Sequence, residues 1–244
     1  NNMSSREVIV LVGGTSTLAK ALVDQYLSTK NIPRIIITAR SKEKFDSWYS
    51  SYSSEDIEFY ELDVLNLIDI EKLVSYVKKY ERKVVFHYLA AVKDIDSSNI
   101  ENIFKINFLS SVYFYDVLLK TMDSFNFILI GSQGDIHGAY DTSSYNASKA
   151  AISNYFEPIA LRNQGKQKVC IIKPWLFQSK MIKSSQLFNA MTCSPEFIAK
   201  VAIKKIQQGK SLIYIPTFTY KLVELLSFIN KKLLYAILFK LLKR

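Results

Sequence analysis

The chain has 244 residues, of which 49% are hydrophobic and 22% are charged, and its formal net charge is +10. This length and apolar content are enough for one α/β domain with a sizeable core, and they exclude a disordered chain. The two cysteines are too few for a disulfide framework, so we expect a reducing, cytoplasmic location.

Much of the positive charge lies at the end of the chain. From Pro216 to Arg244 there are six basic residues and one acid, Glu224. This segment is also the most apolar part of the chain, a combination that favours a membrane surface over a nucleic-acid backbone. We therefore expect no nucleic-acid partner, and a peripheral position at the inner face of the membrane is one expectation for the protein.

Strand and helix patterns alternate along the chain. Apolar, often β-branched runs predict seven buried strands, at 8–12, 34–38, 57–62, 84–89, 125–130, 168–172 and 212–215. Helical spacing predicts helices between them, including 42–49, 67–80, 100–122, 195–208 and one that opens at Tyr145 and is bent or broken at Pro158. This alternation predicts an α/β fold with a doubly wound, parallel, seven-stranded Rossmann-type sheet and helices on both faces.

We predict one Rossmann-type domain over 3–216 and a C-terminal amphipathic helical tail over 217–244. Apolar residues recur at helical spacing from Phe218 to Leu242, but Lys231, Lys232 and Lys240 interrupt them. A membrane span needs about 20 uninterrupted apolar residues. The tail is therefore expected to lie on a membrane surface. The alternative is a helix that packs on a sister subunit or caps the substrate cleft.

The turn after the first predicted strand contains Gly13 and Gly14 and opens a helix. Glycines at such a turn let backbone amides approach a pyrophosphate at a helix N-terminus. Thr17 and Ala19 stand where two further glycines are expected, so a simple tight turn is the alternative. The predicted cofactor contacts here are Gly13, Thr15, Ser16, Thr17 and Leu18.

The second predicted strand is followed by Arg40 and Lys42, where an acid would bind a ribose 2′-hydroxyl. A guanidinium and an ammonium suit a 2′-phosphate, so the sequence favours NADP over NAD. The alternative is a solvated basic loop.

Ser132 ends the fifth predicted strand, and Tyr145 and Lys149 stand four residues apart on the following helix. Residues four apart share a helical face, so the phenol and the ammonium can point the same way. A neighbouring ammonium favours the ionised phenol, which is expected to lower its pKa toward neutral and fit it for proton transfer. An ordinary surface tyrosine and lysine are the alternative. Ser132 is the candidate to hold a substrate oxygen.

From residue 7 to residue 215 the chain resembles a single-domain, NADP-preferring short-chain dehydrogenase/reductase. The resemblance rests on the Gly13 turn, Arg40, Asp63, Asn107, Ser132, the Tyr-Asn-Ala-Ser-Lys segment from Tyr145 to Lys149, and Pro174 to Met181 with Ser179. The end of the chain loosely resembles the subgroup that reduces lipid-linked keto-sugars. Three departures are Thr17, the segment Tyr88-Leu89-Ala90-Ala91 in place of Asn-Asn-Ala-Gly, and Trp175 in place of the glycine after Pro174.

The resemblance implies NADPH-dependent reduction of a ketone or aldehyde, reversible as alcohol oxidation. It implies that Tyr145 is the general acid, that Lys149 holds the nicotinamide ribose and tunes Tyr145, and that Ser132 binds the substrate oxygen. Asn107 would help to hold a proton-relay water. It further implies cofactor contacts from Asp63, to the adenine, and from Ala90, Pro174 and Ser179, and a homodimer or homotetramer.

Two other residues are candidates for the substrate pocket, Trp175 and His137, the latter with a solvated loop histidine as the alternative. His87 is expected to be a hydrogen-bonded core residue, and no metal site is expected from the spacing of His, Cys and Asp. A keto-sugar, lipid-linked or free, or another membrane-partitioned carbonyl compound is the expected substrate. The alternative function is a catalytically weak nucleotide-binding scaffold or sensor at a membrane surface, motivated by Thr17, Trp175 and the Tyr88-Leu89 change.

Overall fold

The computed structural model describes residues 7–53, 55–93, 99–135, 142–162, 165–175 and 192–227. The strands in these ranges are β1 (Val8–Val12), β2 (Arg34–Ala39), β3 (Ile57–Glu61), β4 (Val84–Tyr88), β5 (Phe125–Ile130), β6 (Gln167–Pro174) and β7 (Leu212–Ile215). The α-helices are α1 (Thr17–Leu27), α2 (Lys42–Tyr49), α3 (Leu67–Lys78), α4 (Ile100–Phe104), α5 (Ser110–Thr121), α6 (Ser143–Arg162), α7 (Pro195–Gln207) and α8 (Thr217–Ser227).

All seven strands form one parallel sheet in the order β3-β2-β1-β4-β5-β6-β7. Parallel strands are buried on both faces, which is why β1 and β4 contain no exposed residue. The order reverses between β1 and β4, whose residues Val10 and Phe86 are paired. In such sheets this switch point opens the crevice where a dinucleotide binds, at the carboxyl ends of the strands.

Two apolar layers cover the sheet. One contains the rings of Phe86, Phe114, Phe127 and Phe156, all fully buried, and the other contains Ile9, Leu22, Ile35, Ile203 and their neighbours. Each such side chain contributes about 1.5–3 kcal/mol through burial. The doubly wound α/β fold predicted from the sequence is confirmed.

His87 lies within β4 and is fully buried. Its Nε2 atom shares a hydrogen bond of 2.7 Å with the hydroxyl of Tyr26 on α1. Burial lowers the pKa of His87 to about 3, so the ring is neutral at physiological pH. The expectation of a hydrogen-bonded core histidine is confirmed.

The helix predicted over 100–122 is divided into three parts. α4 ends at Phe104, a π-helical turn covers Lys105–Leu109, and α5 begins at Ser110. The wider turn contains Asn107, which is 1% exposed. π-Helical turns are rare and often lie at functional sites, and this one positions a candidate site residue.

α6 does not break at Pro158, contrary to one of the two outcomes expected from the sequence. A proline inside a helix costs about 3 kcal/mol because it removes a backbone hydrogen bond and clashes with the preceding turn. Phe156 and Ala160, on either side of it, are fully buried. Their packing against the sheet offsets that cost and keeps the helix continuous to Arg162.

The first part of the predicted tail is joined closely to the sheet. Thr219 on α8 is 5% exposed, and its hydroxyl donates to Gln133 Oε1 at 2.8 Å. The rings of Tyr214 and Tyr220 stack with centroids 3.6 Å apart. A helix thus follows Pro216 as predicted, whereas the domain boundary at 216 stays a prediction. Within the described ranges, no helix is both long and apolar enough to span a bilayer.

Candidate active site

The Gly13 turn lies at the switch point of the sheet. Gly13 has a φ of +77°, and a Cβ atom on it would lie 2.7 Å from the Cα of Ala90, which follows β4. Its amide donates to Thr38 Oγ1 at 3.1 Å, and the Gly14 amide donates to the Thr38 carbonyl at 2.8 Å. Only glycine combines this backbone angle with this close approach. The turn therefore brings the carboxyl ends of β1, β2 and β4 together.

α1 begins directly after this turn. Ser16 is its N-cap, with an extended backbone and an Oγ atom that accepts from the Ala19 amide at 3.2 Å. Thr15 and Thr17 are partly buried beside it, and Leu18 is buried. Ala19 is fully buried, which explains why a small residue suffices where a glycine was expected. The N-terminal end of α1 faces the crevice, so its free amides can receive a phosphate.

The two residues proposed for the adenosine side follow neighbouring strands. Arg40 follows β2 and Asp63 follows β3, and both are exposed. The Oδ1 atom of Asp63 accepts from the Leu65 amide at 3.0 Å. Lys42 forms an ion pair of 2.5 Å with Asp46 one helical turn along. The structure thus places Arg40 and Asp63 at one edge of the sheet and gives Lys42 another partner.

Asn107 holds two parts of the site together. Its side chain accepts from the Val92 amide at 2.8 Å and donates to the Val92 carbonyl at 2.9 Å. It also donates to Ser148 Oγ at 2.9 Å. Ser148 lies between Tyr145 and Lys149 on α6. The side chain of Asn107 therefore joins the segment after β4 to α6, a role that the sequence did not indicate.

Ser132 follows β5 and is partly buried. Its Oγ atom accepts a hydrogen bond from the Gly134 amide at 3.0 Å. A Cβ atom on Gly134 would lie 3.3 Å from that Oγ atom. The short turn Gln133–Asp135 thus fixes the hydroxyl by a backbone contact, and the hydroxyl keeps its own proton to donate.

Tyr145 and Lys149 share one face of α6. Lys149 is 3% exposed, its Nζ atom donates to the Ile130 carbonyl at 2.8 Å, and it lies 5.7 Å from the centre of the Tyr145 ring. The alternative of two ordinary surface residues is therefore wrong for Lys149. Its ammonium is anchored at the end of β5, directly before Gly131 and Ser132.

The pKa of Tyr145 shifts in the direction opposite to that expected from the sequence. Burial raises the pKa of Tyr145 to about 12. Burial also lowers the pKa of Lys149 to about 8, against the charge of Asp135, which raises it. Removal of the phenol from water disfavours its ionised form more than the ammonium stabilises it. Tyr145 is thus protonated at neutral pH, as a general acid must be.

A second lysine, Lys93, lies near Tyr145, and no sequence motif indicated it. The Nζ atom of Lys93, in the segment after β4, lies 5.7 Å from the centre of the Tyr145 ring. Lys93 is partly buried and follows Val92, which Asn107 holds in place. The sequence could have indicated Lys93 by its position three residues after Ala90, which lies at the carboxyl end of β4.

Pro174 ends β6 and is buried, and Trp175 follows it and is partly buried. The Trp175 amide donates to the Ile215 carbonyl at 2.8 Å, which continues the pairing with β7. The indole Nε1 atom is buried and finds no hydrogen-bond partner among the described residues. Ser179 and His137 lie outside the described residues.

A largely buried group of charges, which the sequence did not indicate, includes Asp135, three residues after Ser132. Lys173 on β6 pairs with Asp135 at 2.7 Å and with Glu157 on α6. The side chains of Lys173 and Asp135 are 5% and 2% exposed. Ser153 donates a hydrogen bond to the same Asp135 oxygen. We call Asp135, Ser153, Glu157 and Lys173 the buried ionic cluster.

Comparison with known proteins identifies the family. The family model described as short chain dehydrogenase matches residues 7–189, three quarters of the chain. A curated relative, epidermal retinol dehydrogenase 2 of Mus musculus, is 22% identical in an alignment 248 positions long, gaps included, that covers 93% of this chain and 79% of the relative.

Solved structures share the fold. A short chain dehydrogenase from Burkholderia cenocepacia J2315 in complex with NADP has a TM-score of 0.78 at 15% identity, and the match covers 99% of each chain. A short chain dehydrogenase/reductase from Burkholderia phymatum in complex with NAD has a TM-score of 0.72 at 14% identity, covering 90% of this chain and 92% of that one. The parallel sheet, the Gly13 turn and the match over residues 7–189 together show that the chain belongs to the short chain dehydrogenase family of NAD(P)-dependent oxidoreductases.

Proposed function

We propose that the protein reduces a ketone or aldehyde with NADPH, and oxidises the corresponding alcohol in reverse. Tyr145 is the general acid, Lys149 holds the ribose and supports Tyr145, and Ser132 orients the carbonyl oxygen. One observation carries the proposal. The Tyr145 ring and the buried Lys149 ammonium lie 5.7 Å apart on one helical face, next to the end of the strand that Ser132 follows.

The residues of the crevice fit a nicotinamide dinucleotide. Gly13 leaves free the space that a Cβ atom would fill, and the N-terminus of α1 opens beside it. The bound cofactor would supply the hydride. The residues that would hold it are Gly13, Thr15, Ser16, Thr17, Leu18, Arg40, Asp63, Ala90, Tyr145, Lys149, Pro174 and Ser179.

The protein's own residues supply the proton and position it next to the substrate oxygen. Tyr145 gives its hydroxyl proton to the substrate oxygen as negative charge develops there. Ser132 donates its hydroxyl hydrogen to the same oxygen and stabilises that charge. Lys149 remains mostly protonated at neutral pH, since the pKa of Lys149 is about 8. Its positive charge lowers the cost of the phenolate that Tyr145 becomes.

We propose NADP as the preferred cofactor because of Arg40. Its guanidinium is exposed after β2, where no carboxylate stands to bind a ribose 2′-hydroxyl. The ion pair of Lys42 with Asp46 makes Arg40 the principal candidate for the 2′-phosphate. The relative from B. cenocepacia was solved with NADP and that from B. phymatum with NAD, so the relatives allow either cofactor.

The proposed substrate is a keto-sugar, lipid-linked or free, or another carbonyl compound that partitions into membranes. The mouse relative is named for retinol, an apolar alcohol. The positive charge of Lys93, 5.7 Å from the centre of the Tyr145 ring, favours a substrate with an acidic group. A lipid-linked sugar combines an apolar chain with a phosphate.

The test is NADPH oxidation by wild type and Tyr145→Phe with a panel that contains retinal, simple ketones and keto-sugar phosphates. We expect Tyr145→Phe to lose at least about a hundredfold in kcat, in line with the loss of a general acid. NADPH affinity, followed by tryptophan fluorescence, is expected to stay within about threefold, since the ring and Lys149 remain. Full activity of Tyr145→Phe would disprove the mechanism.

The second candidate function is a nucleotide-binding scaffold or sensor with little catalysis. Thr17 at the start of α1 and Trp175 beside Pro174 favour it, because both are larger than the glycines of the family pattern. The same panel decides between the two functions: NADPH binding without oxidation of NADPH by any carbonyl compound would favour the scaffold.

We further propose a homodimer or homotetramer. Tyr113 on α5 and Tyr155 on α6 are 54% and 43% exposed on neighbouring helices. Large exposed rings on adjacent helices often mark an interface. Sedimentation of wild type and Tyr113→Glu tests this assembly, and a wild-type monomer would contradict it.

A further inference from the structure

The buried ionic cluster has a composition that packing alone does not require. Lys173 is paired with two carboxylates, those of Asp135 and Glu157, whereas one would neutralise it. The side chain of Asp135 is 2% exposed, whereas that of Glu157 is 29% exposed and is partly solvated. The charge of Asp135 is therefore the one that depends most on nearby cations for its stabilisation.

Lys149 is a second buried cation on the same face of α6. Ser153, which donates to Asp135, stands four residues after Lys149 and so lies on the same face of α6. Lys149 itself donates to the Ile130 carbonyl at 2.8 Å, five residues before Asp135 in the chain. Two ammonium groups and two carboxylates together make a neutral set.

The carboxylate of Asp135 has one oxygen to spare. Its Oδ2 atom is occupied by Lys173 and Ser153. Its Oδ1 atom is buried and has no hydrogen-bond partner among the described residues. The charge of Asp135 raises the pKa of Lys149 and so favours its ammonium form. Lys173 and Ser153 thus fix the carboxylate, and its negative charge favours the ammonium form of Lys149.

We propose that Asp135 is a positioning residue that supplies the counter-charge of Lys149, and that Lys173 and Ser153 hold its carboxylate in place. The inference rests on the proposed function only in giving Lys149 a part in the reaction. The Tyr145 ring lies 5.7 Å from the Lys149 ammonium, and the Lys93 ammonium lies 5.7 Å from the same ring. Glu157, eight residues after Lys149 on α6, is the other carboxylate of the cluster, and its side chain is 29% exposed and therefore partly screened by water. The side chain of Asp135 is 2% exposed, so its charge is the less screened of the two.

A purely structural role makes a different prediction. If Asp135 only neutralised Lys173, then Asp135→Asn and Glu157→Gln would have the same effect, because each removes one carboxylate partner of Lys173. A counter-charge for Lys149 requires that only Asp135→Asn changes the titration of Lys149. Glu157→Gln is thus the matched control.

The experiment follows Lys149 directly by NMR of protein with 13Cε-labelled lysine, and Lys149→Met assigns the signal. In Asp135→Asn we expect the Lys149 midpoint to fall by about one pH unit or more, as for the loss of a close opposite charge. In Glu157→Gln we expect it to stay within a few tenths of a unit. An unchanged midpoint in Asp135→Asn, or equal shifts in both variants, would overturn the proposal.

A second pair of variants guards against misfolding. Lys173→Met leaves the charge of Asp135 unshared, so we expect the Lys149 midpoint to rise, opposite in sign to Asp135→Asn. The double variant Asp135→Asn/Lys173→Met keeps the carboxylate of Glu157 and the ammonium of Lys149. We expect it to fold like the wild type and to keep the low titration midpoint of Lys149. A midpoint that falls in Lys173→Met would count against the proposal.

The NMR titration needs neither cofactor nor turnover. A wild type that is inactive with the whole carbonyl panel but shows the expected shifts would therefore count against the reductase and support the counter-charge role of Asp135. A wild type that reduces a carbonyl compound but lacks the shifts would support the reductase and overturn the counter-charge role of Asp135.

Discussion

Asn107 donates a hydrogen bond to Ser148 Oγ at 2.9 Å and thereby ties the π-helical turn to the helix that carries Tyr145 and Lys149. Since the same side chain also holds both polar backbone atoms of Val92, it fixes two walls of the crevice at once. The geometry of the candidate acid thus depends on a residue outside its own helix.

Asn107→Ala is expected to destabilise the fold by about 1–3 kcal/mol, because it leaves the part-buried backbone groups of Val92 without their partner. Ser148→Ala removes one of the three bonds of Asn107 and is expected to cost clearly less. Urea unfolding of the two variants measures both values. Equal stability of Asn107→Ala and wild type would show that water replaces the side chain.

Gly13→Ala is expected to weaken folding and cofactor binding together. The added Cβ would lie 2.7 Å from Ala90 backbone atoms at a φ of +77°. Gly209→Ala is the matched control, since Gly209 has a φ of +75° with no atom within 4 Å of the added Cβ. Backbone strain alone costs about 1–3 kcal/mol, so both variants lose stability.

We expect Gly13→Ala to lose more stability than Gly209→Ala. Of these two variants, we expect only Gly13→Ala to lose NADPH binding. Thermal unfolding with and without NADPH measures both quantities. A ligand-induced rise in Tm as large in Gly13→Ala as in wild type would contradict a pyrophosphate site at this turn.

Carbonyl reduction is expected to fall as the pH rises above about 8. The pKa of Lys149 is lowered to about 8, whereas the pKa of Tyr145 is raised to about 12. Tyr145 therefore keeps its proton through the range in which Lys149 loses its positive charge. The pH profile of kcat/KM, which reports the free enzyme, measures this limb. A single basic limb near pH 10 or above would show that Lys149 does not control the rate.

The same shift of Lys149 acts on stability with a definite sign. The folded pKa lies below the value of 10.5 for a free lysine, so the unfolded chain binds more protons between about pH 8 and 10.5. Stability contributed by this group therefore rises with pH across that window. Lys149→Met is expected to remove this component of the urea-unfolding profile.

Much of the fold was predictable because its signals are local. β-Branched runs such as Val8–Val12 specify buried strands, and the four-residue spacing of Tyr145 and Lys149 places both on one helical face. Whether a proline breaks a helix depends on packing that the sequence does not display. Phe156 and Ala160 decide that question at Pro158.

The rest of the site depends on contacts between distant residues. Lys173, Asp135 and Glu157 stand on three separate elements, and their spacing in the sequence gives no hint of an ion pair. The pKa of Tyr145 likewise depends on burial, which only the packed structure fixes. Local spacing indicated Tyr145 as the candidate acid with Lys149 as its neighbour, whereas tertiary packing set the direction of the pKa shift of Tyr145.

Arg40→Ala is expected to lower the preference for NADPH over NADH by about 10- to 100-fold in kcat/KM, the worth of a charged hydrogen bond of about 1.5–3 kcal/mol. NADH kinetics are expected to stay nearly unchanged, since NADH lacks the 2′-phosphate. Lys42→Ala is the control, because its ammonium is paired with Asp46. A loss of preference in Lys42→Ala but not in Arg40→Ala would transfer the role to Lys42.

Removal of residues 228–244 is expected to abolish binding to anionic liposomes while leaving the fold intact. The cut must spare α8, because Thr219 is hydrogen-bonded to Gln133 and Tyr220 stacks on Tyr214. A chain ended at 216 loses these contacts and is expected to unfold at a lower temperature. Flotation of the full chain and of the 228–244 deletion with vesicles of anionic lipid measures the first effect. If the full chain does not float, the tail serves another surface, and sedimentation of the same two proteins then shows whether that surface is a sister subunit.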